Sequence, residues 1–182
     1  MTKFYELTYG LLEPLLPKKF DENEWFTIAI TILVLSISVY LQKKQPILLQ
    51  TELIGVLLIN LLYTTVGDYF LAIPPYDFYD TVDHNSGEFM DILLQNIVYP
   101  FSLLIMMYFY VKYKPNKLFY TLLCAVILFV LEWISIKYFH LFTLKSWKSW
   151  YSLFFYTPVV WINIIFYEKL HQYIIMKINQ KG

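Results

Sequence analysis

The chain has 182 residues, of which 58% are hydrophobic and only 15% are charged, whereas a soluble domain carries about 25% charged residues. Its 14 acidic and 14 basic residues cancel, and every basic residue is Lys. This balance predicts no nucleic-acid partner, and the lack of Arg removes the planar group that clamps phosphates and carboxylates. The composition is typical of a protein whose main partner is the lipid bilayer.

Taken in chain order, the apolar segments predict an all-α, polytopic membrane helix bundle. Residues 1–20 carry Phe4, Leu7 and other apolar residues on one helical face and are interrupted at Pro14, so we expect a short N-terminal interfacial helix. Five longer apolar segments are predicted to cross the membrane, at about residues 26–41, 47–73, 89–113, 117–139 and 150–170. We treat residues 1–182 as a single membrane domain.

The Lys residues near the predicted span ends indicate the orientation, because such ends stay in the cytoplasm during insertion. Eight Lys residues fall on one side of the five spans and six on the other. This difference predicts an N-terminus outside the cell and a C-terminus in the cytoplasm. The connection 74–88, which holds Asp77, Asp80, Asp83 and Glu88 and no Lys, then faces outward.

Polar residues recur at helical spacing in every predicted span, which indicates one inward-facing polar seam. The second span places Asn60, Thr64 and Asp68 on one face, and the third does the same with Asp91 and Gln95. The stripes of the other spans are Thr27, Thr31 and Ser38; Thr121, Glu132 and Ser135; and Ser152, Tyr156, Asn163 and Tyr167. We expect these faces to meet inside the bundle, with Leu, Ile and Phe toward lipid.

Ionisable side chains inside the spans are the strongest functional lead, since each costs roughly 2.5–3.5 kcal/mol at membrane depth and normally faces protein or water. Several converge on the outer half of the bundle. The residues predicted to line an outward-facing polar pocket are Asp68, Asp91, Gln95, Asn96, Glu132 and, as a counter-charge, Lys137. Glu52 is expected to lie alone near the inner end of the second span. The alternative is structural, because polar side chains also hold helices together at about 0.6 kcal/mol per contact.

The sequence predicts no catalytic residue, no cofactor and no metal site. A divalent cation prefers several oxygen ligands, and the candidates for such a site are Asp77, Asp80, Asp83, His84, Glu88 and Asp91. The spacing from Asp83 does not match an EF-hand, and a solvated acidic loop is the favoured interpretation. No nucleophile elbow, phosphate loop or metalloprotease helix occurs in the sequence. The single Cys is interpreted as a small core residue. Trp147 and Trp150 are interpreted as part of an aromatic belt at the membrane interface.

The connections and span ends carry short motifs rich in aromatic and acidic residues. They are Leu131-Glu132-Trp133, Leu141-Phe142, Trp147, Trp150-Tyr151-Ser152, Tyr99-Pro100 and the run from Leu16 to Phe20. In these motifs the chain resembles a family of small, uncharacterised multi-pass integral membrane proteins of spore-forming Gram-positive bacteria, of the Bacillus and Clostridium type. It departs from the family at Ser146, where relatives carry Gly before the Trp. The resemblance implies a location in the bacterial plasma membrane and implies no activity.

Three functions are compatible with these residues. The favoured one is a non-enzymatic membrane subunit or partner-binding module, whose partner is a second copy of the chain or another membrane protein. The second is a small transporter or proton-linked carrier that uses Asp68 and Glu132, although the sequence lacks the internal repeats on which many carriers are built. The third is an enzyme that acts on lipid headgroups at the outer face, against which the missing Arg and nucleophile count.

Overall fold

A computed structural model describes residues 13–83 and 88–180. Its five long helices are α1, Glu22–Lys44; α2, Gln50–Ala72; α3, Phe89–Tyr113; α4, Lys117–Phe139; and α5, Tyr151–Asn179. Two three-residue strands, β1 (Tyr79–Thr81) and β2 (Phe142–Leu144), pair antiparallel. The prediction of an all-α protein with membrane-like helices is confirmed. Of the predicted interfacial helix, residues 1–12 lie outside the described part of the chain, and Glu13–Leu15 forms one 3₁₀ turn.

Helices α1 to α4 are each long and apolar enough to cross a membrane, with 23 to 25 residues. At 1.5 Å per residue each is about 35 Å long, which is sufficient for a hydrocarbon core of about 30 Å. Helix α1 begins at Glu22, earlier than predicted, because Asp21 and Glu24 form a capping box in which the Asp21 N–H donates to the Glu24 carboxylate at 2.6 Å. Helix α5 is the longest and is not among these four, so its crossing of the membrane stays a prediction.

The five helices alternate in direction, so their connections gather at two ends of the bundle. We call the end that holds β1, β2 and residues 73–83 the sheet end, and the end that holds Lys43 and Lys44 the lysine end. In the sheet, Tyr79 of β1 lies opposite Leu144 of β2. This pairing joins the connection after α2 to the connection after α4. The sheet was not expected from the sequence, since three-residue strands carry no periodic signal.

The larger apolar core lies between α2, α3 and α5. Val56, Met107, Val160 and Ile164 are fully buried there. A second core at the sheet end consists of Val82, Met90, Leu94, Val98 and Leu141. The outer faces of the helices carry exposed Leu, Ile and Phe side chains, as expected of surfaces that contact lipid.

The predicted polar stripe of α1 is buried, but its hydroxyl groups bond within their own helix. Thr27 and Thr31 donate to carbonyl oxygens four residues earlier at 2.8 and 2.7 Å, and Ser38 does so at 2.7 Å. These small residues therefore let α1 pack closely without joining it to its neighbours by hydrogen bonds.

Candidate functional site

The candidate site forms around an irregular turn in α3. Residues Leu94–Val98 form a π-helical turn, in which the N–H of Tyr99 donates to a carbonyl five residues earlier. Pro100 explains the wide turn, because it has no N–H and its ring clashes with the carbonyl four residues before it. The carbonyl of Gln95 instead accepts a hydrogen bond from Thr64 Oγ1 of α2 at 2.9 Å.

Gln95 joins two carboxylates at the contact between α2 and α3. Its Nε2 donates to Asp68 Oδ2 at 2.8 Å and to Asp91 Oδ2 at 2.9 Å. Tyr79 Oη of β1 donates to the other oxygen of Asp68 at 3.3 Å. Asp91 is buried and Asp68 is half-buried, so side-chain donors replace much of the water that would otherwise solvate these groups.

Glu132 of α4 is held by two hydroxyl groups of α5. Ser152 Oγ donates to Glu132 Oε1 at 2.6 Å, and Tyr156 Oη donates to Glu132 Oε2. Trp147 Nε1 donates to Ser152 Oγ at 2.9 Å, which leaves the Ser152 proton for Glu132. Because a hydrogen bond to a charged group contributes about 1.5–3 kcal/mol, these contacts tie α4 firmly to α5 at the sheet end.

Tyr79 lies between the two acidic groups. Its ring contacts that of Trp147, with 6.4 Å between the ring centroids. Burial raises the pKa of Tyr79, and the charge of Asp68 raises it further. Asp91 and Glu132 add smaller effects on the same pKa in the same direction. We therefore define one carboxylate cluster, which consists of Asp68, Tyr79, Asp91, Gln95, Glu132, Trp147, Ser152 and Tyr156.

Four of the six residues predicted to line a pocket belong to this cluster, namely Asp68, Asp91, Gln95 and Glu132. Asn96 is exposed on α3, because the residue after Gln95 is rotated by roughly 80–100° around the helix axis. Lys137 is not a counter-charge in the cluster: its Nζ lies over the ring of Trp133, 4.7 Å from the centroid. Lys137 lies five positions after Glu132, and this spacing places the two residues on different faces of α4.

The carboxylates of Asp68 and Glu132 are hydrogen-bonded to side chains of this chain. Both oxygens of Asp68 and both oxygens of Glu132 accept hydrogen bonds from this chain. A cavity of about 10 Å³ lies instead toward the lysine end, where Ser38, Gln42 and Tyr108 contribute to its lining, and it is no larger than one water molecule. At the place where the sequence predicts an outward-facing pocket, the structure therefore shows carboxylates that accept hydrogen bonds from neighbouring side chains.

Four members of the cluster, Tyr79, Trp147, Ser152 and Tyr156, are not among the residues that the sequence predicts to line the pocket. The four-residue spacing of Ser152 and Tyr156 predicts a shared helical face, but it does not identify Glu132 as their partner. Trp147 fits an interfacial belt by composition, and its bond to Ser152 depends on the turn before α5. Tyr79 lies in an irregular connection that has no periodic pattern at all.

Two further polar contacts link α2 to α5 at other depths. Asn60 and Asn163 are fully buried and exchange hydrogen bonds from Nδ2 to Oδ1 at 2.7 and 2.8 Å. Nearer the lysine end, Glu52 Oε1 lies 2.5 Å from His171 Nδ1. The prediction that Glu52 lies alone is therefore wrong, because α5 is long enough to bring His171 beside it. The carboxylate cluster, the Asn60–Asn163 pair and the Glu52–His171 contact lie at three levels about 12 Å apart along α2, with apolar residues such as Val56 between them.

The acidic connection after α2 is partly neutralised by one Lys. Lys145 Nζ lies 2.8 Å from Asp77 and 2.7 Å from Asp80, and these hydrogen bonds raise the pKa of Lys145. Among residues 13–83 and 88–180, no group of three or more His, Cys, Asp or Glu is placed to hold a metal ion. His84 lies outside the described residues.

Comparisons of the chain with models of protein families, with curated proteins and with solved structures find no match. The resemblance to membrane proteins of spore-forming bacteria stays a prediction. Two of its motifs nevertheless contain residues that shape the site. Glu132 is the acceptor at the contact between α4 and α5, and Pro100 lies two residues after the end of the π turn.

Proposed function

We propose that this chain is a non-enzymatic subunit or partner-binding module of the plasma membrane of a spore-forming Gram-positive bacterium. Its N-terminus lies outside the cell, α5 is the fifth span, and the C-terminus lies in the cytoplasm. One observation carries the proposal: side chains of this chain occupy all four carboxylate oxygens of Asp68 and Glu132. A substrate or a catalytic water would have to share these oxygens with the donors of this chain or replace those donors, whereas a structural role uses the hydrogen bonds as they are.

The satisfied polar contacts supply rigidity. A network in which each carboxylate oxygen has its donor fixes one arrangement of helices, since any other arrangement leaves a buried polar group without a partner. The carboxylate cluster joins α2, α3, α4 and α5, and the Asn60–Asn163 pair joins α2 to α5 at a second depth. The bundle therefore holds its sheet end in a fixed shape, as a binding module needs.

The sheet end also carries a continuous aromatic row. Its members, in order of contact, are Tyr76, Phe78, Trp147, Tyr151, Trp150 and Phe154, with 4.3 to 5.8 Å between successive ring centroids. Tyr76, Trp150 and Phe154 are exposed. Rigid aromatic side chains are enriched among the residues that dominate binding between proteins, so we assign the partner contact to this row.

Site-specific crosslinking in intact cells tests the proposal. A photoreactive amino acid replaces Trp150, and in a matched control it replaces Trp25, which is equally exposed near the sheet end but lies outside the aromatic row. We expect one discrete protein adduct at position 150 and none at position 25. Trp150→Ala should then lower recovery of that partner while leaving the melting temperature unchanged. Lipid adducts alone at both positions would contradict the proposal and leave the row as an interfacial belt.

A proton-linked carrier is the second candidate, and one observation favours it. Asp68 and Glu132 accept hydrogen bonds from the neutral side chains of Tyr79, Gln95, Ser152 and Tyr156, so either carboxylate can take up a proton without losing a cationic partner within these contacts. In proteoliposomes this function predicts proton-driven uptake that Glu132→Gln abolishes. If the wild-type protein shows no proton flux above that of protein-free vesicles, the carrier is excluded.

A further inference from the structure

Two buried carboxylates lie at the sheet end, outside the carboxylate cluster, in the segments at the starts of α1 and α3. Glu24 in the first turn of α1 and Glu88 at the start of α3 both have side chains that are 0% exposed. One oxygen of each is used: Glu24 Oε2 accepts from the Asp21 N–H at 2.6 Å, and Glu88 Oε2 accepts from the Asp83 N–H at 3.2 Å. The other oxygen of each, Oε1, accepts no hydrogen bond from the described residues.

The two carboxylates are close enough to act on each other electrostatically. Burial raises the pKa of Glu88 to about 7, and repulsion from Asp83 and then from Glu24 contributes in the same direction. Asp83 also connects the two segments, because its Oδ2 accepts from the Lys19 N–H at 2.9 Å, just before α1. Lys18 Nζ donates to the backbone carbonyl of Asp83 at 2.8 Å and not to a carboxylate.

Two neutral oxygens in the same segments also lack partners. Asn23 Oδ1 and Thr81 Oγ1 are buried, in residues that are 4% and 1% exposed, and make no hydrogen bond within the described chain. Asn23 directly precedes Glu24, and Thr81 lies two residues before Asp83, whose N–H contacts Glu88. A buried polar atom without a partner costs about as much as a lost hydrogen bond, so four of them in adjoining segments require an explanation.

We propose that Glu24 and Glu88 bind one hard cation of the calcium type, with Asn23 Oδ1 and Thr81 Oγ1 as neutral ligands. Calcium takes six to eight oxygen ligands and combines carboxylates with carbonyl, hydroxyl and water oxygens, which is the chemistry of this set. The site contains two carboxylates, so it differs from the groups of three or more acidic, His or Cys side chains that the described residues lack. The bound cation fastens the start of α1 to the start of α3.

Calcium binding by the purified full-length protein in detergent tests the site. At constant ionic strength, calcium at about one hundred times its dissociation constant should raise the melting temperature by about 5–10 °C, and titration calorimetry should give one site per chain. Glu24→Gln and Glu88→Gln should remove both effects. Glu22→Gln is the matched control, because Glu22 lies in the same helical turn but is half-exposed and paired with His140 at 2.9 Å; it should keep both.

Several results would overturn this inference. They are the absence of a calcium-dependent shift in the wild-type protein, a shift that survives in both Gln variants, or an equal loss in Glu22→Gln. Stability that rises as the pH falls and is indifferent to calcium would also overturn it, since the two carboxyl groups would then share a proton. If Glu88→Gln does not fold, Glu88→Asp keeps the charge, shortens its reach, and should weaken calcium binding in a folded protein. The proposed partner contact at the aromatic row does not depend on any of these outcomes.

Discussion

Glu132→Gln combined with Tyr156→Phe measures whether the carboxylate cluster stabilises the bundle. Glu132 accepts two hydrogen bonds from α5, at 2.6 Å from Ser152 Oγ and from the Tyr156 hydroxyl. The Gln carbonyl oxygen still accepts from Ser152 Oγ, whose own proton must point to residue 132 because this oxygen accepts a hydrogen bond from Trp147. The Gln amide N–H then faces Tyr156. The Gln N–H donates to Tyr156 Oη, so both contacts become neutral and the Tyr156 proton loses Glu132 as its acceptor. We therefore expect Glu132→Gln to lower the free energy of unfolding by about 1–3 kcal/mol.

The assay is equilibrium unfolding in detergent, by heat and by added denaturing detergent, for the two single variants and the double variant. If the Tyr156–Glu132 bond is the main term lost, the two substitutions should be non-additive by about 1–2 kcal/mol, and each should lower the melting temperature by roughly 2–10 °C. Tyr69→Phe, at an exposed Tyr of α2, is the control and should be neutral. The reasoning is refuted if the coupling energy is below about 0.3 kcal/mol or if Glu132→Gln is more stable than the wild type, which would favour the carrier.

Three further predictions concern other contacts. Asn60→Leu and Asn163→Leu should each cost about 1–3 kcal/mol by leaving a buried amide without its partner, and the double variant should cost less than their sum. Gly55→Ala should be less stable than Gly67→Ala, because its new Cβ would lie 2.6 Å from Leu170 Cδ2 of α5 and this side chain must rotate away. Gly67→Ala has its nearest contact at 3.7 Å and should be neutral or slightly stabilising. With a chelator present, the free energy of unfolding should fall by about 3 kcal/mol as the pH rises from about 4.5 to 7. The reason is that the pKa of Glu88 is raised from 4.5 to about 7 in the folded protein, so the folded state favours the protonated carboxyl group. Thermal melts at each pH measure this dependence, and Glu88→Gln should remove it.

The long helices and the shared faces of their polar residues follow from the sequence, because each predicted span is a run of at least 16 mainly apolar residues with polar residues at helical spacing. Asn60 and Asp68 face the interior for that reason. Their partners do not follow, since Asn60 meets Asn163 across 103 residues of sequence. Which residue of α5 reaches it depends on how far the two helices are shifted along their axes, and side-chain patterns do not specify that shift.

The candidate site is harder to predict because it depends on irregular backbone. A helical wheel with a constant 100° step holds for Asp91 and Gln95, which lie before and at the start of the π turn. Pro100 signals an irregularity in α3, but it does not distinguish a kink from a π turn. Tyr79 reaches Asp68 only because residues 73–83 fold back into a two-stranded sheet, and the register of such short strands has no pattern in the sequence.

The π turn of α3 also makes the geometry of the site depend on the number of residues in this turn. Removal of one residue between Leu94 and Val98 would restore an α-helical turn and rotate Asp91 by about 100° relative to Met107. Met107 would stay in the core, while Asp91 would leave the face that meets Asp68. A single-residue deletion could therefore separate the two carboxylates during the evolution of this sequence while every side chain involved in their contact remained unchanged.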